Sequence, residues 1–376
     1  MSEESKTALP AGQPGGAADG GRNYGIDLLR LLAVFYIVVN HATGRGGLLG
    51  RHLYLSWFLY VWGFCGVNCF ALISGYVGYR PTEDWRPKLG RYLSLWLEVV
   101  FYGLVMAAIY KLILPGEVTA ERFIKALLPV SSSEYWYFTA YTGVFFAAPL
   151  INLALKAMSE RAVKASMLVF FLLFSVLATL AGTQKDIFLL NEGYSFCWLA
   201  ILYYMGAGMK KTGLLSGLKP WFSWPMILVL VGVSELWLIG ASHLELTHPV
   251  LLIQHLSPTI VVISLLHVVV FSVVCIGEKG KKFLRFAAPG AFAVYLLNAN
   301  PCFWDYTLHD VFVFLSDRPI IWMPVTVVAF ALLFVLAALA VDYLRRRLFA
   351  ALGIEKFSKR LGDRLDSLLL GRGAGG

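Results

Sequence analysis

The sequence predicts an all-α protein, a polytopic bundle of about ten membrane-spanning helices with both termini in the cytoplasm. Composition, long apolar segments and the placement of basic residues predict this fold class. Apolar residues make up 58% of the 376 positions and charged residues only 15%, and the mean hydropathy is +0.69. Soluble globular chains carry roughly 45–50% apolar and about 25% charged residues. The composition therefore excludes an ordinary soluble enzyme, a disordered chain and a fibrous protein.

Ten apolar segments follow one another along the chain, and most have the ~20 residues that a helix needs to cross a bilayer. Their approximate bounds are 24–42, 53–79, 93–114, 135–155, 165–183, 193–209, 222–241, 257–276, 286–304 and 320–344. The sixth segment is short. Together the segments predict one transmembrane domain over residues 24–344.

Basic residues give an independent test of this count, because cytoplasmic loops of membrane proteins carry an excess of Lys and Arg. Loops after the even-numbered segments hold 14 of these residues, and loops after the odd-numbered segments hold 7. This bias places the even loops and both termini in the cytoplasm. We therefore interpret the net charge of +9 as basic cytoplasmic loops on a lipid bilayer, with no nucleic-acid partner.

The two ends of the chain differ in character from the apolar domain. Residues 1–23 are rich in Gly, Ala, Pro, Ser and Glu, and we expect a disordered polar leader that is not a signal peptide. Residues 345–376 carry leucines at near-helical spacing among Lys and Arg. This pattern favours a basic amphipathic helix on the inner leaflet, and a loose solvated tail is the alternative.

The first segment carries polar residues that a bilayer makes costly, namely Asp27, Arg30 and His41. Asp27 precedes Arg30 by three residues, so the two can pair across one helical turn. His41 follows Arg30 by eleven residues, so a helix places both on one face, roughly 16 Å apart along its axis. Arg30 then lies near the cytoplasmic end and His41 near the outer end. The alternative is that Arg30 reaches inner-leaflet phosphates and His41 only caps the helix at the interface.

Hydroxyl and basic side chains cluster at the cytoplasmic end of the second segment. Ser74 and Tyr76 are expected at the depth of Arg30, and Lys88 and Arg91 follow at the inner surface. A cationic, hydroxyl-lined mouth of this kind suits a phosphorylated cytosolic ligand. Positive-inside topology alone explains the charges but not the hydroxyls.

Aromatic and amide side chains are predicted at the outer surface. Tyr135 and Trp136 open the fourth segment, where they form either an interfacial aromatic belt or a stacking platform for a sugar. Asn298 and Asn300 end the ninth segment at the depth of His41, and Asn298 is the expected partner of the His41 ring. The five cysteines are scattered, and no Cys/His spacing indicates a metal site or a disulfide framework.

These residues resemble motifs of the acyltransferase-3 family of integral membrane O-acyltransferases. The family's first helix carries a basic residue, ten spacers and then His, usually after an acidic residue, and Asp27, Arg30 and His41 match this pattern. Four further blocks are similar to family motifs in the same order: 66–76 (F…SGY), 135–152 (W-F/Y…P-x-L/I-N), 202–208 (Y-x-x-G) and 294–301 (VYLIH-x-NP). The last block departs from the family, because Asn298 stands where His is usual.

The resemblance implies transfer of an acyl group, acetyl by default, from cytosolic acyl-CoA to a hydroxyl of a surface glycan or lipid-linked sugar. Coenzyme A would rest at the inner mouth with Arg30 near its pantetheine arm, and His41 would act as general base with Asn298 assisting. No metal is required. The donor would contact Arg30, Ser74, Tyr76, Lys88 and Arg91. The sugar would contact Tyr135, Trp136 and Asn300.

Two other functional classes stay open. A secondary transporter of a small polar or acylated metabolite predicts inverted repeats and broken helices, and we find no matching pair of Gly/Pro-broken segments in two halves of the chain. A non-catalytic glycan-binding scaffold has no need of Arg and His on one helix face. We expect a multi-pass protein of a bacterial cytoplasmic membrane. The sequence leaves open the acyl group, the acceptor, the oligomeric state and the roles of Glu98, Glu235 and His267.

Overall fold

A computed structural model of the protein describes residues 21–49, 54–81, 84–182 and 185–370, and every structural statement concerns these ranges. Most of the predicted leader, residues 1–20, lies outside them. The regular secondary structure of the described ranges is entirely helical. In chain order the helices are α1 (Tyr24–Gly44), α2 (Tyr54–Gly78), α3 (Leu89–Ile113), α4 (Ala120–Leu127), α5 (Trp136–Ala157), α6 (Glu160–Ala181), α7 (Phe196–Thr212), α8 (Pro220–His243), α9 (Pro258–Ser272), α10 (Glu278–Ala287), α11 (Ala291–Asn298), α12 (Trp322–Ala351) and α13 (Ile354–Leu370).

Seven of these helices, within the described ranges, are long and apolar enough to cross a membrane: α1, α2, α3, α5, α6, α8 and α12. Each coincides with one of the ten predicted segments, which confirms an all-helical fold of the multi-pass membrane type. The count of ten stays a prediction, because the other three segments form shorter helices. The sixth predicted segment is α7 with 17 residues, and the eighth is α9 with 15.

The ninth predicted segment, 286–304, is not one continuous helix. It contains the end of α10, the eight residues of α11 and a new helical turn that begins at Pro301. A proline stands in the first helical turn after each break, namely Pro289 and Pro301, where its missing N–H costs no helical hydrogen bond. The break after Asn298 brings irregular backbone to the end of α1, where it shapes the candidate active site.

Helix α1 lies at the centre of the bundle, where it contacts α2, α9, α11 and α12. Its neighbour α2 also packs closely against α7. A Cβ atom at Gly75 of α2 would overlap the carbonyl oxygen of Tyr203, and one at Gly206 of α7 would overlap that of Leu72. The two backbones touch at these glycines, as is common in membrane helices. Gly75 therefore serves helix packing. The same contact fixes the position of the neighbouring Ser74 relative to α7.

The predicted tail contains a helix that packs on the bundle. Helix α12 continues to Ala351, so residues 345–351 extend the last membrane helix. After a short turn, α13 crosses the start of α3, and a Cβ atom at Gly362 would overlap the backbone at Gly90. Ser358 of α13 is fully buried. Whether α13 lies on the inner leaflet stays a prediction.

A buried network of charges joins α3 to α12. Asp342 is 0% exposed and contacts Arg345 at 2.6 Å and Arg346 at 2.8 Å. Arg345 also contacts Glu98 at 3.0 Å, and the Tyr102 hydroxyl donates to Asp342 at 3.1 Å. The network thus sets two carboxyl groups against two guanidinium groups. This pairing explains how the chain tolerates Glu98 inside an apolar helix.

We predict that Asp342→Ala lowers the free energy of unfolding by about 3–5 kcal/mol, because it leaves two arginines without their shared buried carboxylate. Thermal unfolding of the purified protein in detergent measures the loss as a lower melting temperature. Arg347→Ala, which removes an exposed arginine of the same helix, is the matched control and should melt like the wild type. Equal melting of Asp342→Ala and wild type would contradict the assigned role.

Candidate active site

The C-terminal ends of α1 and α11 meet at a histidine–amide pair. The His41 Nδ1 atom lies 2.6 Å from the Asn298 Oδ1 atom. The ring of Trp304 stands edge-on to the imidazole, with 4.7 Å between the ring centroids. The chain turns after Asn298 because the Asn300 side chain accepts a hydrogen bond from the Cys302 N–H at 3.0 Å and so starts a new helical turn. The fold thus joins the two residues that the sequence predicts at one depth.

This hydrogen bond fixes the proton on the imidazole. Because the amide oxygen faces Nδ1, that nitrogen carries the proton and Nε2 keeps its lone pair. Asn298 is fully buried, and its Nδ2 has no hydrogen-bond partner among the described residues. Burying an N–H donor without an acceptor costs free energy, and a ligand or a water molecule can remove this cost by accepting the hydrogen bond. The pair therefore offers a base and an unused donor side by side.

A cavity of about 560 Å³ opens beside this pair. Aromatic rings form much of its wall. The lining includes His41, Tyr60, Glu134, Trp136, Tyr194 and Trp304. This volume lies within the range of about 300–1,000 Å³ that is typical of small-molecule sites in proteins.

Both carboxylates of the cavity are paired with arginines. Glu134 contacts Arg122 at 2.9 Å, and Asp305 contacts Arg45 at 3.0 Å. Arg45 also lies over the Trp304 ring, 5.8 Å from its centroid. These pairs balance the charge of the wall. The arrangement suits a polar, uncharged ligand better than a free anion or cation.

Only one of the three predicted sugar contacts lines the cavity. Trp136 does so. Tyr135 and Asn300 are buried, and the Asn300 amide donates to the Tyr135 hydroxyl at 2.8 Å. Their hydrogen bond links the start of α5 to the break after α11. The structure therefore places these two residues behind the cavity wall, where they hold its shape.

Arg30 occupies the other end of α1. Its guanidinium group contacts Asp27 at 3.1 Å, as the spacing of the two residues predicts. Asp27 also contacts Arg22 at 2.5 Å, a partner that no sequence pattern indicated. The Arg30 side chain keeps 27% of its surface exposed. With roughly 16 Å of helix between Arg30 and His41, the two charged or polar ends of α1 are well separated.

The predicted donor-side residues do not all lie together. Tyr141 of α5 lies beside Ser74 and within electrostatic reach of Arg30 and Arg91. Tyr141 thus lies near residues of α1, α2 and α3, and it belongs to the block 135–152 that is similar to a family motif, although the sequence predicts no role for it at the donor end. Lys88 and Arg91 are exposed at the start of α3.

Tyr76 lies on a different side of α2. It follows Ser74 by two positions, a rotation of about 200° around a helix. Its ring lies under the Lys210 ammonium group, with 5.1 Å to the ring centroid. Tyr76 therefore stands apart from the Ser74 and Tyr141 hydroxyls.

Two thiols and an imidazole form a separate buried cluster. The ligand-type atoms of Cys65, Cys69 and His267 lie within 4.8 Å of one another. No sequence spacing predicts this group, because α9 supplies the histidine and α2 the cysteines. His267 already has two partners: its Nδ1 bonds the Ile263 carbonyl at 2.8 Å, and its Nε2 lies 3.3 Å from the Tyr36 hydroxyl. Hydrogen bonding and packing account for the cluster as it stands.

The family comparison agrees with these features. The model of the acyltransferase-3 family, described as an acyltransferase domain, matches residues 23–343. No curated protein and no solved structure matches the chain. The family match covers most of the sequence and includes α1, α11 and the cavity between them. The chain belongs to the acyltransferase-3 family of membrane acyltransferases.

Proposed function

We propose that this protein moves an acyl group, acetyl by default, from cytosolic acyl-CoA to a hydroxyl of a surface glycan or lipid-linked sugar. The observation that carries the proposal is the 2.6 Å contact between His41 and Asn298 at the wall of the cavity. A histidine held by an amide oxygen on one nitrogen, with the other nitrogen free, is poised as a general base.

The proposed reaction uses both members of this pair. The His41 Nε2 atom takes the proton of the sugar hydroxyl while the hydroxyl oxygen bonds to the carbonyl carbon of the thioester. The carbon–sulfur bond then breaks, and coenzyme A leaves with the proton that His41 carries. The products are the O-acyl sugar and free coenzyme A. During this step the Asn298 Nδ2 donates to the carbonyl oxygen as negative charge develops there.

The donor would approach from the Arg30 end of α1. Arg30, Lys88 and Arg91 supply positive charge for the phosphates of coenzyme A, and the Tyr141 hydroxyl, which lies beside Ser74, is within electrostatic reach of Arg30 and Arg91. An extended pantetheine arm is comparable in length to the roughly 16 Å between Arg30 and His41. The thioester would then reach His41 while the phosphates stay at the other end. This route keeps the acyl group away from bulk water until it meets the acceptor.

The acceptor would occupy the cavity at the His41 end. Aromatic walls and arginine-paired carboxylates suit the apolar face and the hydroxyl edge of a sugar. Trp136 is the proposed stacking residue, and Tyr135 and Asn300 support it from behind. The membrane would be the bacterial cytoplasmic membrane, with ten spans.

The proposal requires the His41 end to face outward and both termini to lie in the cytosol. We predict that a reporter that fluoresces only in the cytosol is bright when fused to the C-terminus, because basic residues are concentrated in the even loops. A fusion to residue 47, after α1, is the matched control and should be dark. A dark C-terminal fusion in an inserted protein would contradict the topology.

We predict that His41→Gln lowers acyl transfer by about 10²–10⁴-fold while acyl-CoA binding persists, because glutamine cannot accept a proton at neutral pH. Transfer of radiolabelled acetyl groups in membranes at matched expression measures the loss. His267→Gln, at a buried histidine away from the cavity, is the control and should keep its activity. An active His41→Gln protein would remove His41 from the mechanism.

The same assay separates the two roles of Asn298. We expect Asn298→Ala to lower the rate by about 10²-fold or more, because it removes a donor to the developing oxyanion. Asn298→His restores the residue that is usual in the family and should keep or raise activity. Loss of transfer in Asn298→His together with full activity in Asn298→Ala would argue against this assignment.

A third pair of variants tests the division between donor and acceptor ends. Arg30→Ala should abolish acyl-CoA binding, because it removes a partly buried cation from the donor end. Trp136→Ala should bind acyl-CoA normally and weaken only the acceptor step. Thermal shifts on adding acetyl-CoA to purified variants report donor binding. Equal loss of the shift in both variants would show that the two ends are not separate.

A further inference from the structure

Three basic side chains converge on one tyrosine ring at the start of α1. The Arg22 guanidinium carbon lies 5.3 Å from the centroid of the Tyr24 ring. Lys281 and Arg285 of α10 lie 5.9 Å and 5.8 Å from the same centroid. Arg285 also donates to the Tyr24 hydroxyl at 3.0 Å. We call Arg22, Lys281 and Arg285 the basic cluster. Because like charges this close repel one another, an anion bound among them would be stabilised.

Packing between α1 and α9 holds the tyrosine ring in place. The Asn23 amide donates to the Ser272 carbonyl at 2.8 Å. A Cβ atom at Gly25 would overlap the carbonyl oxygen of Phe271, so the start of α1 touches the end of α9. Tyr24 itself is only 7% exposed. The ring is therefore a fixed support for the charged groups around it.

The basic cluster is open to solvent, although the ring beneath it is buried. Lys281 and Arg285 are four positions apart, so they lie on one face of α10, and this face meets Tyr24. The side chains of Arg22 and Lys281 keep 37% and 27% of their surface exposed, and Arg285 is exposed as well. A ligand can thus reach all three groups without any change in the fold.

The carboxylates that contact the basic cluster are shared or exposed. Asp27 contacts Arg22 at 2.5 Å and Arg30 at 3.1 Å, so one carboxylate serves two guanidinium groups. Glu278 contacts Lys281 at 2.6 Å, but 78% of the Glu278 side-chain surface is exposed. An exposed ion pair contributes little and is easily replaced. A doubly charged anion would therefore compete well for these cations.

We propose that the basic cluster is a binding site for a phosphate group. Guanidinium groups donate paired hydrogen bonds to phosphate oxygens, and a lysine adds a point charge. Tyr24 precedes Arg30 by six residues, which places the site roughly 9 Å beyond Arg30 along α1 as seen from His41. The site goes beyond the proposed function, because phosphate binding there does not require acyl transfer. The phosphate would belong either to the nucleotide end of a soluble ligand or to the headgroup of an anionic phospholipid.

Three variants separate the cluster from the general surface charge. The double variant Lys281→Ala with Arg285→Ala removes two of the three cations. The double variant Lys281→Arg with Arg285→Lys exchanges the residue types and keeps both charges. Lys282→Ala is the matched control, because it removes an exposed lysine of the same helix. The melting temperature without any probe, which should equal that of the wild type, shows that each variant is folded.

The assay uses the purified protein in an uncharged detergent. Adenosine 3′,5′-bisphosphate is the soluble probe, and its dissociation constant is measured by calorimetry. Phosphatidylglycerol is the lipid probe, and its effect on the melting temperature is compared with that of phosphatidylcholine. We expect the wild type to bind at least one phosphate probe, and the double alanine variant to bind it about tenfold more weakly or worse. The charge-keeping variant and Lys282→Ala should bind like the wild type.

The two probes identify the source of the phosphate. Binding of adenosine bisphosphate that depends on the cluster would support a nucleotide ligand, and a response confined to phosphatidylglycerol would support a lipid headgroup. No response of the wild type to either probe would overturn the site. Equal loss in Lys282→Ala and in the double alanine variant would also overturn it. Probe binding through the cluster in a protein that transfers no acyl group would support the site and overturn only the proposed function.

Discussion

A polar side chain inside an apolar bundle needs a partner, and the structure of this protein depends on how that need is met. Hydrocarbon offers no hydrogen bonds, so each buried charge or amide must find a partner within the chain. Asp342 meets the need with two arginines, and Asp27 pairs with Arg30. These contacts tie α12 to α3 and fix the start of α1. The same need explains why the end of α11 lies against His41.

Not every buried polar atom has a hydrogen-bond partner, and one of those without a partner lies beside the cavity. Within the described ranges, Nδ2 of Asn298 is buried without a hydrogen-bond partner, next to His41. Asn298 bonds His41, and His41 lines the cavity. The Nδ2 atom is a hydrogen-bond donor. A ligand with a carbonyl oxygen would satisfy this donor, as the proposed acyl transfer requires.

Helix α1 separates the candidate site into two ends, one at Arg30 and one at His41, because the helix between them is rigid. Close packing against α2, α9, α11 and α12 holds Arg30 and His41 at a fixed separation. A donor that spans this distance can keep its charged part with Arg30 while its thioester reaches His41. Separate ends also allow two chemically different ligands to bind without competing for the same residues. In the proposed reaction, α1 would both cross the membrane and carry the catalytic histidine.

The sequence by itself determined the features that depend on local periodicity and composition. The apolar segments predicted the helical membrane fold, and the 3.6-residue period placed Asp27, Arg30 and His41 on α1. Contacts between distant residues needed the tertiary structure. It turned Tyr135 and Asn300 toward each other, placed Tyr141 beside Ser74, and broke the ninth predicted segment next to His41. The physical reason is that helix rotation and loop burial are decided by packing, whereas the helical period is already present in the chain.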